Sequence, residues 1–139
     1  MKVLIDTHVF IWFINGDKQL PKKIREIIAD TDNKCFISVA SIWEIAIKFS
    51  LGKLELKSGF EKIAGFLLDN DIEILPLSFE HIRQLLKLDF HHRDPFDRII
   101  IAQGIEEDIT IITKDREFTL YDVHTLWNDS GESADLNKS

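Results

Sequence analysis

Short apolar runs alternate with segments of helical period along this chain, and that alternation restricts the fold more than any other feature. "KVLI" (2–5), "CFISV" (35–39), "IEILPL" (72–77) and "ITIIT" (109–113) have the length and apolar density of buried strands. Between them, Pro21 opens a helix with Ile24, Ile27 and Ile28 on one face and Lys22, Lys23, Arg25 and Glu26 outside. "SIWEIAIKFSLG" (41–52) is expected as a helix closed by Gly52, and Phe60, Ile63, Ala64 and Leu67 mark another. A further helix carries Phe79, Ile82, Leu85 and Leu86, and Pro95 starts the last, through about Glu107. "VFIWFI" (9–14), apolar all round, reads as a short buried helix ending near Asn15-Gly16, and "YDVHTLW" (121–127) as a fifth strand at an edge. Strands alternating with helices specify an α/β domain: a central, mainly parallel sheet of four to five strands flanked by helices. No linker or repeat divides residues 1–127, which read as one domain; residues 128–139, "NDSGESADLNKS" after Trp127, read as a loose polar tail.

Composition narrows the function classes. A hydrophobic share of 45% over 139 residues supports a core and excludes disorder as the main state. Cys35 is the only cysteine, so neither an intrachain disulfide nor a cysteine-rich zinc site can form. The formal charge of −7 argues against a broad electrostatic grip on nucleic acid, yet leaves open an enzyme whose clustered acids are neutralised by divalent cations. Asp6 interrupts the apolar opening, no small-residue cleavage pattern follows, and no run approaches a membrane span; the expected location is the cytoplasm.

Sites in open parallel sheets gather beyond the carboxyl ends of the strands, and acids fall there repeatedly. Asp6 ends the first run and Asp115 follows the fourth, after Thr113 and Lys114. Glu44 lies three residues after Ser41, so "SIWE" fits a capping box as well as a site facing Asp6. In "DPFD", Asp94 is a good N-cap, Pro95 suits the first helical position, and Asp97 fits the helix dipole or a cleft equally well. Each acid alone has an ordinary structural reading. Converging, they would repel and raise one another's pKa values, a conflict that a cation removes. Oxygen ligands of this kind suit Mg²⁺ or Mn²⁺, which serve phosphate chemistry by activating water and stabilising charge. Thr7 is placed to order Asp6 through a hydrogen bond. His91 and His92, adjacent and therefore divergent, read as surface or phosphate-facing residues rather than a zinc pair.

The ordered set "LIDTH", "SIWEI", "HHRDPFDRIIIAQ" and "IITKD" resembles a PIN-domain ribonuclease of the VapC toxin type, over roughly residues 1–127. The resemblance implies an α/β domain with an acidic metal site and Mg²⁺- or Mn²⁺-dependent cleavage of RNA. The family's acids fall on Asp6, Glu44, Asp97 and Asp115, with Asp6 and Asp97 as main metal ligands and Asp94 as a secondary candidate. Arg93, Arg98, Lys114 and Arg116 are candidate phosphate contacts. The resemblance further implies a homodimer and a cognate antitoxin whose C-terminal segment covers the active-site groove. Gly104 stands where the family often has alanine, and the expectation is a looser helix packing there. Rival readings are a PIN nuclease of RNA processing without toxin behaviour and a PIN-like binding module without catalysis. A phosphatase fits less well, because no Asp-x-Asp pair follows the first strand.

Overall fold

Strand β1 (Lys2–Ile5) buries both its faces, which only a central position between two helical layers allows. The computed structural model describes residues 1–127, so the segment from Asn128 expected as a tail lies outside the described residues. With β2 (Lys34–Ser38), β3 (Ile72–Leu75), β4 (Thr110–Ile112) and β5 (Thr125–Leu126), β1 forms a five-stranded sheet of order β3-β2-β1-β4-β5. All four pairings are parallel, and β5 is at the expected edge. The chain runs outward from β1 through β2 to β3, then returns to β4 on the other side. The switch point therefore lies between β1 and β4, where such sheets place their sites.

Alternation along the strands divides the core in two. Val3 and Ile5 face a layer with Cys35, Ile37 and Ile112, covered by α1 (Thr7–Asn15), α2 (Lys22–Ala29) and α4 (Ile63–Asp69). Leu4 faces the opposite way with Phe36 and Ile111, against α6 (Pro95–Glu107). Helix α3 (Val39–Ser50) serves both, giving Ile45 to the first cluster and Ala40 to the second. Ile99, Ile100 and Ile101 of α6 are all buried, each contributing roughly 1.5–3 kcal/mol from transfer out of water. They anchor the helix that carries Asp97. Helix α1 ends as expected at Gly16, whose φ of 64° is the left-handed cap that glycine adopts without strain. Its apolar run is only partly sunk: Val9 and Phe10 are buried, while Ile11 to Ile14 pack at the margin.

Two expectations need correction. Gly104 does not loosen α6: a Cβ there would stand 2.8 Å from Ile111 Cδ1 and 3.0 Å from Val123 Cγ2, so its absence lets the helix lie hard on β4. Helix α5 (Phe79–Leu86) packs Leu85 against the second cluster and buries His81, while Phe79 and Leu86 stand 72% and 83% exposed. That imidazole is held by two partners: Nδ1 accepts from Ser78 N–H, and Nε2 lies 2.7 Å from Glu107 Oε2. Finally, α3 begins before "SIWE". Ser38 is its cap, accepting from Ala40 N–H at 3.0 Å, so Ser41 and Glu44 are inside the helix and form no capping box.

Candidate functional site

Asp6 leaves the carboxyl end of β1 and caps α1, its Oδ1 accepting from Val9 N–H at 2.8 Å. Its backbone N–H donates to Ile112 O at 3.0 Å, which ties the residue to the end of β4. The side chain is buried, and burial pushes its pKa up to about 6 against the opposing pull of hydrogen bonds from Thr113 and Val9. The hydroxyl that serves Asp6 is therefore that of Thr113, not Thr7. Thr113 Oγ1 also accepts from Asp115 N–H at 3.0 Å, so one buried threonine joins two of the acids. Thr7 instead donates to Ser41 Oγ at 2.8 Å, locking the starts of α1 and α3 together.

Asp94 is the N-cap of α6, its Oδ1 accepting from Phe96 N–H at 2.9 Å and Asp97 N–H at 3.3 Å. Asp97 is thereby fixed in the first turn with its carboxylate free to face the acids. Its pKa is pushed up to about 8, first by burial and then by Asp94, Asp6, Glu44 and Asp115 in turn. The structure thus brings Asp6, Glu44 and Asp115, with Asp94, within electrostatic reach of Asp97. Asp115 caps the 3-10 turn Arg116–Leu120 through Glu117 N–H at 2.9 Å.

Glu44 is buried on α3, and its two oxygens differ. Oε2 accepts from Lys48 Nζ at 2.8 Å, whereas Oε1 is buried with no hydrogen-bond partner among the described residues. Lys48, whose pKa is raised by this bond and by the nearby acids, escaped the sequence reading; its signal was the Glu-to-Lys spacing of four on one helix face. A buried carboxylate oxygen without a donor is unfavourable, and here it belongs to a group of acids already short of positive charge. The donor set is all oxygen, which fits Mg²⁺ or Mn²⁺ and not a soft metal.

The phosphate-contact candidates divide. Arg93, Lys114 and Arg116 are exposed, with Lys114 Nζ 5.8 Å from the Trp12 ring centroid. Arg98 is buried and cannot meet a phosphate: Nη1 donates to Asp89 O at 2.8 Å and to Tyr121 Oη at 3.3 Å, over the Phe90 ring. His91 and His92 part company as adjacent residues do. His91 is exposed and packs edge-on against Tyr121, while His92 turns inward, its Nε2 3.5 Å from Asp97 Oδ2. His92, Asp115 and Glu117 bring one ligand-type atom each within 4.8 Å of one another, so Glu117 is a further acid at this margin.

A cluster of carboxylates at the switch point of a parallel sheet, with helices on both faces, defines an α/β protein with a site suited to cations. Residues 3–123 match the PIN domain, and the chain belongs to that family, whose members are generally nucleases. Among solved structures it is similar to VapBC2 from Rickettsia felis bound to a promoter DNA fragment (TM-score 0.71, 18% identity, covering 91% of this chain and 98% of that one). VapBC-1 from nontypeable Haemophilus influenzae (TM-score 0.63, 18% identity, 91% and 97% covered) and FitAcB from Neisseria gonorrhoeae (0.61, 18%, 89% and 96%) share the fold as well. A comparison with curated proteins gave no match.

Proposed function

We propose that this protein is a divalent-cation-dependent endoribonuclease and the toxin of a VapBC-type toxin–antitoxin pair. The observation that carries the reading is the unpartnered, buried Oε1 of Glu44 near an Asp97 whose pKa is raised by burial and then by four neighbouring acids. Asp6, Glu44, Asp97 and Asp115 would hold Mg²⁺ or Mn²⁺. When bound, the cation supplies positive charge to stabilise the phosphoryl group and promotes attack by water. The chain's own residues do the positioning. Val9 and Thr113 hold Asp6, Lys48 holds one oxygen of Glu44 and leaves the other free, and the Asp94 cap fixes Asp97 on a rigid, buried helix. Exposed Arg93, Lys114 and Arg116 are available for RNA phosphates around the pocket.

The partner part of the reading draws on solved relatives that are VapBC and FitAcB assemblies and on the earlier resemblance. Exposed apolar side chains are compatible with it: Trp43, Phe79, Leu86 and Phe90 stand open to solvent. A cognate antitoxin and a second copy of the chain are the proposed occupants, in the cytoplasm. Among the described residues no helix is long and apolar enough to cross a membrane.

The test uses partner-free protein with an RNA pool in Mg²⁺ or Mn²⁺. The expected result is cleavage that EDTA stops and that Asp6→Asn lowers by on the order of 100-fold or more. Cleavage unaffected by EDTA and by the substitution would sink the proposed site. A folded protein that cleaves no RNA with either cation would favour a binding module.

A further inference from the structure

We propose that His92 contacts substrate, its Nε2–H donating to a non-bridging oxygen of the scissile phosphodiester at the acid pocket; the inference rests on the nuclease reading above. Tyr121 sets the tautomer. Its phenol oxygen accepts from the backbone N–H of His92 at 3.2 Å and from Arg98 Nη1 at 3.3 Å, and His92 Nδ1 lies 2.9 Å from it. Both donors are N–H groups with no alternative role as acceptors, and they occupy the lone pairs of the oxygen. The hydroxyl hydrogen is left to point at Nδ1. Nδ1 therefore accepts, and the hydrogen-bond network assigns the ring N–H to Nε2.

That N–H is buried and unused. The His92 side chain is 9% exposed, and Nε2 has no hydrogen-bond partner among the described residues although Asp97 Oδ2 stands 3.5 Å away. A donor held in one orientation from behind, with no hydrogen bond made in front, is preorganised for an acceptor that arrives with a ligand. The trio of His92, Asp115 and Glu117 resembles a cation site in residue type. A cation would need a lone pair on Nε2, and this tautomer has none there. With the carboxylates drawn to cations, the acceptor that comes into reach is a phosphate oxygen. His92 also lines a cavity of about 910 Å³ with Leu86, Phe90, His91 and Arg93.

The test compares His92→Ala, His92→Gln and His92→Glu in three measurements: steady-state RNA cleavage in Mg²⁺, Mn²⁺ affinity by calorimetry, and binding of a short oligoribonucleotide in Ca²⁺. His92→Ala should lower kcat by about 10- to 100-fold, as loss of a transition-state donor does, with Mn²⁺ affinity unchanged. His92→Gln, whose amide N–H reaches the same position, should recover part of the loss, and His92→Glu should not. Full activity in His92→Ala would overturn the proposal while leaving the nuclease reading intact. A Mn²⁺ affinity that falls in His92→Ala and returns in His92→Glu would overturn it in favour of a cation ligand. If the wild type cleaves no RNA, the nuclease reading fails by itself. Oligoribonucleotide binding then decides: about tenfold weaker in His92→Ala supports the contact, and equal binding overturns it.

Discussion

Replacing Asp97 with asparagine should raise the melting temperature of the cation-free protein at pH 8 by about 5–10 °C, while abolishing its response to Mg²⁺. Desolvation and four acidic neighbours raise the Asp97 pKa from 3.8 to about 8. A carboxyl group that binds its proton more tightly when folded destabilises the folded state once it must ionise. The cost is absent below the unfolded value near 4, grows as pH rises, and is fully developed above about 8. Asp97 keeps 22% of its side chain exposed, so solvent screening reduces the penalty to on the order of 2–3 kcal/mol. Asparagine keeps the shape without the charge. The advantage of the variant should therefore shrink as pH is lowered from 8 to 4, and thermal scans in EDTA across that window measure it. Equal melting temperatures at pH 8 would mean that the acids do not repel as their placement requires. Asp6, raised to about 6, adds a smaller effect of the same sign.

The second large effect is expected at Arg98, on stability and not on substrate affinity. Arg98→Ala should cost about 2–3 kcal/mol, visible as a lower urea midpoint with an unchanged slope. The guanidinium bonds the carbonyls of Leu88 and Asp89 and the Tyr121 hydroxyl, and stacks 4.1 Å from the Phe90 ring centroid. Removing it strands those acceptors and frees the loop before α6. Arg98→Lys should recover only part, because a single ammonium cannot replace the planar fork. A variant that keeps full stability but binds RNA poorly would restore the phosphate-contact role that burial rules out here.

How far the sequence foretold this site differs residue by residue. The order of strands and helices was legible because each apolar run has a length and period that only one element accommodates. Asp94 as a cap was legible too, since Asp-Pro at a helix start satisfies local rules that need no knowledge of the rest. What failed was anything set by a distant neighbour. Thr7 and Thr113 each adjoin a site acid, and only the pairing of β1 with β4 makes Thr113 the one that reaches Asp6. Two adjacent histidines must diverge, but which one turns inward depends on Tyr121, nearly thirty positions later in the chain. The arginine in "RDPFDR" looks like a surface charge until the preceding loop folds its carbonyls over it. In α5 the spacing gave the helix, but it did not foretell that His81, its polar atoms tied to Ser78 and Glu107, would be the buried residue. Periodicity reports an apolar stripe, not which surface covers it.

The central claim is that Asp6, Glu44, Asp97 and Asp115 form one cation-binding pocket, and a calorimetric titration with Mn²⁺ tests it most directly. Saturable binding by the wild type, weakened by about tenfold or more in both Glu44→Gln and Asp97→Asn while their folds stay intact, is the predicted result. Binding of equal strength in all three proteins, or none in the wild type at millimolar Mn²⁺, would contradict it.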